Sequence, residues 1–211
     1  MKLPRVYPIL DVAALAAQGI DLVEAAQALV DGGAQILQVR HKLHWSRQMF
    51  DTAQAVAELC GKAGTQLIVN DRADIARLLD AGVHVGQDDL EPADVRKVLG
   101  RRAVVGYSTH NVEQVEQAAK KSITYCAIGP IFSTQSKQNP DPVVGLNALA
   151  GVRQKIRKPL VAIGGITLKR AVETWNAGAD SVAVIAALYP AECTPTSIRE
   201  RMEQWQRLAQ N

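Results

Sequence analysis

Short apolar runs alternate with segments of helical period along the whole chain. The apolar runs are Val6–Leu10, Ile36–Arg40, Gln66–Asn70, Val83–Val85, Ala103–Tyr107, Tyr125–Ile128, Pro159–Ile163 and Ser181–Ile185. The segments with helical spacing lie near 21–31, 46–62, 73–79, 92–99, 111–120, 145–156, 168–177 and 196–209. Eight strands that alternate with eight helices predict parallel βαβ units.

The length of these units bears on how the strands are arranged. The chain has 211 residues, which is about one domain by length. About 26 residues per unit, with right-handed crossovers, favour a closed (β/α)8 TIM barrel formed by a single domain over residues 1–211. An open doubly wound sheet is the alternative, because a count of units does not establish closure.

The second strand indicates which residues face the barrel interior. Side chains alternate along a strand, so Leu37 and Val39 can face the helices. Gln38, Arg40 and Lys42 then point to the interior, toward the carboxyl end of the strand. Two cations and an amide inside a barrel mouth are costly to bury without an anion. A solvated strand end is the alternative, and the pattern favours an anionic ligand.

Composition and charge exclude several classes of protein. Apolar residues make up 47% of the chain and charged residues 21%, which is a globular composition. A net charge of +3 gives no reason to expect nucleic-acid binding. There is no apolar run of ~20 residues and no signal-peptide pattern, so we expect a soluble, cytoplasmic protein without a membrane partner. The three cysteines form no CxxC pair, which argues against both a disulfide framework and a zinc site.

Acidic residues follow the third and fourth predicted strands. Asn70 and Asp71 come directly after the third strand, and Asp88 and Asp89 follow the fourth. Each aspartate has an alternative role as the cap of the helix that it precedes. These ends lie beside the polar residues of the second strand, however. Carboxylates next to anion-binding cations suit a magnesium–diphosphate site, since Mg²⁺ takes one or two carboxylates together with phosphate oxygens and water.

The fifth strand ends in a group of polar residues that offers a donor but no activated nucleophile. Ser108 is a candidate hydrogen-bond donor to a substrate. The chain has no Gly-x-Ser-x-Gly motif, so a hydrolase nucleophile is not expected. We expect His84 to pack in the barrel with its ring hydrogen-bonded. His110 is more typical of a helix terminus than of a general base.

Two later segments predict phosphate contacts. The stretch from Gly129 to Val144 is long for a compact domain and holds the donors Thr134, Gln135 and Ser136, followed by Lys137. We interpret it as a mobile lid over the catalytic face, with a solvated loop as the alternative. The turns after the last two strands often bind phosphate in such barrels. Here they contain Gly164–Thr167 and Val184–Ala187. A simple tight turn is the alternative for the glycine pair.

Several motifs together resemble the thiamine phosphate synthase family, in order and over nearly the whole chain. They are Gln38–Lys42, Asn70–Asp74, Gly82–Asp89, Gly129–Lys137 and Ala162–Ile166. The resemblance implies a barrel transferase with two small-molecule substrates, hydroxymethylpyrimidine diphosphate and thiazole phosphate. It implies that the diphosphate leaves with magnesium assistance, that the thiazole nitrogen captures the pyrimidine cation, and that the products are thiamine phosphate and pyrophosphate. A homo-oligomer is compatible with the sequence but does not follow from it.

The resemblance also implies roles for individual residues. The pyrimidine diphosphate would contact Gln38, Val39, Arg40, His41, Lys42, Asn70, Ser108 and Lys137. Of these, Arg40, Lys42, Ser108 and Lys137 would take part in catalysis. The metal Mg²⁺ would be held by Asp71 and Asp89. Thiazole phosphate would contact Thr134, Gln135, Ser136, Gly165, Ile185 and Ala186. The family usually has serine where this chain has Ala186, which puts a side-chain hydroxyl contact in doubt.

Two alternative functions remain at this stage. A thiazole tautomerase-like paralogue, an isomerase on a similar barrel, needs the thiazole phosphate site but no metal site for a diphosphate. A non-catalytic barrel that binds a phosphorylated metabolite needs no turnover at all. The pairing of Asp71 with Asp89 favours the synthase.

Overall fold

Eight parallel strands form a closed barrel in which each strand pairs with the next and the last pairs with the first. The computed structural model describes residues 2–134 and 141–210. The strands are β1 (Val6–Asp11), β2 (Ile36–Arg40), β3 (Gln66–Asn70), β4 (Gly82–Val85), β5 (Val105–Thr109), β6 (Tyr125–Ile128), β7 (Leu160–Ile163) and β8 (Ser181–Val184). Closure confirms the predicted TIM barrel and excludes the open sheet.

The helices lie around the barrel, and the predicted ones are all present. They are α1 (Val12–Ala17), α2 (Leu22–Asp31), α3 (Arg47–Ala63), α4 (Ala73–Leu78), α5 (Pro92–Leu99), α6 (Val112–Ala119), α7 (Gly145–Arg153), α8 (Leu168–Asn176) and α9 (Pro195–Gln210). The sequence did not predict α1, or a 3-10 turn at Ala186–Leu188. Within residues 2–134 and 141–210, no helix has both the length and the apolar character needed to cross a bilayer.

The apolar side chains form two layers, one on each side of the strands. Leu37 and Val39 belong to the larger layer between strands and helices, as the alternation in β2 predicted. Ile36, Ile68 and Val161 belong to a smaller cluster that fills the barrel interior. This inner cluster fills the lower part of the barrel, and the polar residues lie above it at the carboxyl ends of the strands.

Candidate active site

A cavity of about 1070 Å³ opens at the carboxyl ends of the strands. The residues that line it and that the sequence predicted as site residues are Gln38, Arg40, Lys42, Asn70, Asp71, Asp89, Ser108, Thr134, Gly165, Ile185 and Ala186. Since they come from seven of the eight strand ends and the segments that follow them, the barrel brings together residues that lie far apart in the chain. Catalytic sites of this fold occupy the same face.

Two predicted site residues that the structure describes do not line the cavity. Val39 is fully buried in the layer between the strands and the helices. The His41 ring lies against Trp45 and has Nε2 3.1 Å from the His44 carbonyl oxygen. The positions of these two side chains therefore do not support the expected contact with the pyrimidine diphosphate, because strand alternation turns Val39 outward and local contacts hold His41 at the rim. Three more lie outside the described residues: Gln135, Ser136 and Lys137.

Both cations of the second strand end are paired with carboxylates. Arg40 forms an ion pair with Asp11, a buried residue that is its direct neighbour in the β1–β2 register. Asp11 is also the N-cap of α1, where its side chain accepts a hydrogen bond of 3.0 Å from the backbone N–H of Ala14. Lys42 Nζ lies 2.6 Å from Asp71 Oδ2. The sequence analysis did not identify Asp11 as a site residue because the predicted first strand ended at Leu10. Asp11 is two residues after the inward-facing Ile9, so strand alternation would have placed it inward as well.

The two predicted metal ligands face each other across the ends of β3 and β4. Asp71 has a left-handed backbone, with φ of 64°, and its carboxylate lies within hydrogen-bond reach of Asp89. Asp89 accepts a hydrogen bond of 2.7 Å from the backbone N–H of Gly86. Neither aspartate caps a helix, because the N-cap residues of α4 and α5 are Arg72 and Glu91. The alternative interpretation as helix caps is therefore wrong.

The surroundings of this acidic pair fit a hard cation whose remaining ligands are phosphate oxygens and water. Burial raises the pKa of the Asp71 carboxyl; Lys42 opposes the rise and Asp89 adds to it. No cluster of three or more His, Cys, Asp or Glu side chains suited to a metal occurs among the described residues. Two carboxylates suffice for Mg²⁺ when phosphate oxygens and water complete its shell. Nearby, the buried Asn70 Nδ2 has no hydrogen-bond partner within the described chain, so a cavity ligand is a suitable acceptor for it.

A buried hydrogen-bond chain crosses the floor of the cavity. It runs from Gln38 Nε2 to the Tyr7 hydroxyl at 2.8 Å, from Tyr7 to the Tyr125 hydroxyl at 2.8 Å, from Tyr125 to His84 Nδ1 at 3.0 Å, and from His84 Nε2 to Ser108 Oγ at 2.7 Å. Burial raises the pKa of both tyrosines, which keeps their hydroxyls protonated. The prediction that His84 packs with its ring hydrogen-bonded is confirmed. The sequence did not identify Tyr7 or Tyr125, because a tyrosine in a strand also fits an ordinary core position.

The opposite rim consists of two turns that are packed backbone to backbone. The N–H of Ile131 donates to the Ile163 carbonyl at 2.9 Å, and that of Phe132 donates to the Gly164 carbonyl at 3.0 Å. A Cβ at Gly165 would lie 2.4 Å from the Ser133 carbonyl oxygen, and Gly165 has φ of 64°. Glycine is therefore required at this position for two reasons: a side chain would clash with the segment after β6, and the left-handed backbone disfavours other residues. The sequence alone suggested phosphate approach or a tight turn, and it did not indicate the contact with the segment after β6.

A cation that the sequence analysis did not identify lies at this second rim. Arg170, in the first turn of α8, donates from Nη1 to the Gly165 carbonyl at 2.9 Å. Its guanidinium lies 4.5 Å from the centre of the Phe132 ring, and the residue lines the cavity. His110 lies nearby, with Nδ1 2.9 Å from the Gly129 carbonyl oxygen and 3.2 Å from Asp141 Oδ2. It directly precedes Asn111, the N-cap of α6, as expected for a residue at a helix terminus.

Comparison with known proteins agrees with this geometry. The family described as thiamine monophosphate synthase matches residues 6–188. A thiamine-phosphate synthase of Koribacter versatilis is 48% identical over 191 residues, which cover 89% of this chain and 90% of the relative. Another of that name, from Chloroflexus aurantiacus, is 40% identical over 175 residues, covering 82% and 81%. The solved thiamine phosphate pyrophosphorylase from Pyrococcus furiosus superposes with a TM-score of 0.83 at 27% identity, covering 98% of this chain and 95% of the other. With a closed barrel, a polar cavity at its mouth and these relatives, the chain is a transferase that belongs to the thiamine monophosphate synthase family.

Proposed function

We propose that the enzyme joins 4-amino-2-methyl-5-(diphosphooxymethyl)pyrimidine to 4-methyl-5-(2-phosphooxyethyl)thiazole and releases pyrophosphate and thiamine phosphate. The observation that carries this proposal is the division of the cavity. Among the described residues, one rim holds two cations, the Asn70 amide and the carboxylates of Asp71, Asp88 and Asp89, and the other rim holds a glycine turn with Arg170. A diphosphate with its metal suits the first rim, and a monophosphate suits the second.

The pyrimidine diphosphate is placed along the ends of β2, β3 and β5. Arg40 and Lys42 face the diphosphate, and their present partners Asp11 and Asp71 hold them in position. Asn70 offers the buried amide donor that has no partner among the described residues. Ser108 adds a hydroxyl and Gln38 reaches the ring from the floor. The proposal retains Lys137, which lies outside the described residues, as a further cation on the diphosphate.

Asp71 and Asp89 are the residues that would hold Mg²⁺. The ion would supply positive charge to the diphosphate oxygens when it is bound. The two carboxylates repel each other when both are ionised, and Lys42 forms its ion pair with Asp71. A divalent cation relieves that repulsion, which is the physical reason to place it between them.

The reaction needs no activated side chain. The bond between the pyrimidine methylene carbon and the diphosphate oxygen breaks, and its electron pair leaves with pyrophosphate. The electron-rich ring stabilises the resulting cation, and the thiazole nitrogen donates its lone pair to form the new carbon–nitrogen bond. Arg40, Lys42 and Lys137 stabilise the charge that builds on the leaving group. Alignment of the two substrates in one cavity supplies the rest of the rate enhancement.

Thiazole phosphate is placed at the other rim. Its proposed contacts are Thr134, Gln135, Ser136, Gly165, Ile185 and Ala186, of which Gln135 and Ser136 lie outside the described residues. Ile185 and Ala186 stand at the start of the 3-10 turn, where the first backbone N–H groups have no partner within the turn. Arg170 supplies a cation at the same rim. A backbone contact of this kind does not need a hydroxyl at Ala186.

Pyrophosphate release with both substrates present tests the function against its two alternatives. We expect pyrophosphate and thiamine phosphate in equal amounts when both substrates are present. Without thiazole phosphate, we expect only the small amount of pyrophosphate that slow hydrolysis of the diphosphate releases. A tautomerase-like isomerase would convert its thiazole substrate without any diphosphate. A barrel that only binds would bind thiazole phosphate without forming any product. Either of these results would overturn the proposal.

A further inference from the structure

The buried hydrogen-bond chain of Gln38, Tyr7, Tyr125, His84 and Ser108 connects two points of the cavity through its floor. Gln38, Tyr7, His84 and Ser108 line the cavity, whereas Tyr125 is fully buried beneath it. The ends come from β2 and β5, and the links come from β1, β6 and β4. An apolar interior would have filled the same space without the cost of burying five polar groups.

The sequence of β5 leaves space for the buried hydrogen-bond chain. Gly106 is the second residue of β5, and a glycine inside a strand weakens it. A Cβ there would lie 2.1 Å from the Tyr125 ring and 2.5 Å from His84 Nδ1. The glycine is therefore required for the contact between Tyr125 and His84.

The hydrogen bonds of this buried chain can all point from donor to acceptor in either of two directions. The reason is that each hydroxyl carries one proton and a neutral imidazole carries one N–H. In the first direction Gln38 donates to Tyr7, Tyr7 to Tyr125 and Tyr125 to His84 Nδ1; His84 Nε2 then donates to Ser108. In the second direction every bond is reversed, and the proton of Tyr7 requires an acceptor on Gln38.

Gln38 selects the first direction. Its Nε2 faces the Tyr7 oxygen, and an amide nitrogen donates but does not accept. The proton of Ser108 is then not used within the chain and can be donated into the cavity. The amide nitrogen of Gln38 is engaged below the cavity, and its carbonyl oxygen is left to accept from a ligand.

We propose that Tyr7, Tyr125 and His84 are positioning residues that set the hydrogen-bond polarity at the two ends of the pyrimidine diphosphate site, making Ser108 a donor and Gln38 an acceptor. The ligand part of this inference rests on the proposed function. A donor at Ser108 suits a diphosphate, which only accepts, and an acceptor at Gln38 suits an amino group on the ring. The direction of the chain itself does not depend on any substrate.

The direction is tested by ¹⁵N NMR of the ligand-free enzyme labelled at histidine, with His84 assigned from a His84→Gln sample. We expect His84 to carry its proton on Nε2 and to leave Nδ1 bare. A proton on Nδ1 in the wild-type enzyme would overturn the proposal. This measurement needs no turnover, so its outcome is independent of whether the proposed reaction is correct.

The positioning role is tested with Tyr125→Phe, which removes one link and keeps the ring. The matched control is Tyr107→Phe, a buried tyrosine of β5 that packs in the outer layer and is not part of the chain. Loss of one buried hydrogen bond predicts a KM for pyrimidine diphosphate raised about three- to tenfold. The KM for thiazole phosphate should stay unchanged, and the His84 resonances should report a mixture of both tautomers.

The control variant should alter neither KM. Equal effects of Tyr125→Phe on both substrates, or a single unchanged His84 tautomer, would overturn the positioning role. If Tyr125→Phe does not fold, Tyr7→Phe breaks the same chain one link away and is expected to give the same pattern. Its failure to do so would equally contradict the proposal.

Discussion

Asp71 combines an unusual backbone conformation with the central chemistry of the cavity. Its φ of 64° lies in the left-handed region, which asparagine and aspartate adopt more readily than other residues with a side chain. This conformation follows directly on the end of β3 and brings the carboxylate to Lys42 and Asp89. The residue type is therefore constrained twice, by the backbone and by the charge that it supplies.

Asp71→Asn separates these two constraints. Asparagine tolerates the same backbone, so we expect the free energy of unfolding to change by less than about 1 kcal/mol. Loss of the charge should raise the Mg²⁺ concentration needed for half-maximal activity by roughly 10- to 100-fold. Steady-state rates over a Mg²⁺ titration measure this effect, and excess Mg²⁺ should restore part of the activity.

The matched control for this substitution is Asp80→Asn. Asp80 is also an aspartate with a left-handed backbone, with φ of 50°, and it lies in the turn before β4, on the other face of the barrel. We expect it to leave the Mg²⁺ titration unchanged. Full activity of the wild-type enzyme in a chelator would contradict the metal assignment.

At the scale of elements, the turn after β7 and the segment after β6 act as one unit. The backbone N–H of Phe132 donates to the Gly164 carbonyl, and that of Ile131 donates to the carbonyl of Ile163 at the end of β7. Arg170 of α8 closes the unit by bonding the Gly165 carbonyl and packing on the Phe132 ring. Because these parts contact one another directly, we expect a change in one of them to affect the others.

Gly165→Ala tests this coupling. The added Cβ would overlap the Ser133 carbonyl, so the segment after β6 has to shift. We expect the KM for thiazole phosphate to rise at least tenfold, more than the KM for the pyrimidine diphosphate. The control is Gly64→Ala at the C-cap of α3, which has a similar φ of 70° and nothing within 4 Å of the added Cβ. Both variants carry the backbone strain of about 1–2 kcal/mol, and only the first carries the contact.

Arg170→Met tests the cation at the same rim. Methionine keeps an unbranched apolar stem but loses the charge and the hydrogen bond to Gly165. Because Arg170 is exposed, we expect only a roughly three- to tenfold weaker binding of thiazole phosphate. Calorimetric titration with thiazole phosphate measures this loss of affinity. The control is Lys169→Met, at the preceding, exposed position of α8. Equal affinities for the two variants would remove Arg170 from the site.

Most elements could be predicted from the sequence because their patterns are long enough to show a period. The helix α1 has only six residues, and its beginning depends on Asp11, whose role is apparent only once the end of β1 is known. In β2, alternation correctly placed Gln38 and Arg40 inward. The family resemblance extended the site to Val39 and His41, which are not among the residues that line the cavity.

At the scale of the whole molecule, closure of the barrel determines which residues meet. The pairing of Asp11 with Arg40 and the path from Tyr7 to Ser108 depend on the register between strands, which a single sequence does not contain. The predicted alternation of strands and helices indicated the barrel but left closure open. The cavity lining was largely predicted because catalytic residues of this fold gather at the carboxyl ends of the strands.

The cysteines provide a measure of how completely the closed barrel protects its interior. Burial raises the pKa of Cys60 and of Cys126 to about 11, so both remain protonated thiols at pH 8. Cys193 is only partly buried, and burial raises its pKa as well. We expect iodoacetamide at pH 8 to label the native enzyme slowly, at Cys193 alone. Mass spectrometry should find the other two labelled only above the unfolding transition.

A Cys193→Ser variant is the control for this experiment and should take up no label while folded. Labelling of Cys60 or Cys126 in the native enzyme at the rate of Cys193 would show that the barrel opens locally. Because the thiolate is the reactive form, labelling of the native protein should accelerate as the pH rises toward 11.

The pairing of β8 with β1 has a consequence for the protein during its synthesis. Val6 pairs with Val182, so one side of the first strand has no partner until the last strand has left the ribosome. Sheet edges with free N–H and C=O groups readily pair with other chains. The growing polypeptide therefore carries two open edges through most of translation, one at β1 and one at the newest strand. The time for which they are exposed depends on the speed of elongation.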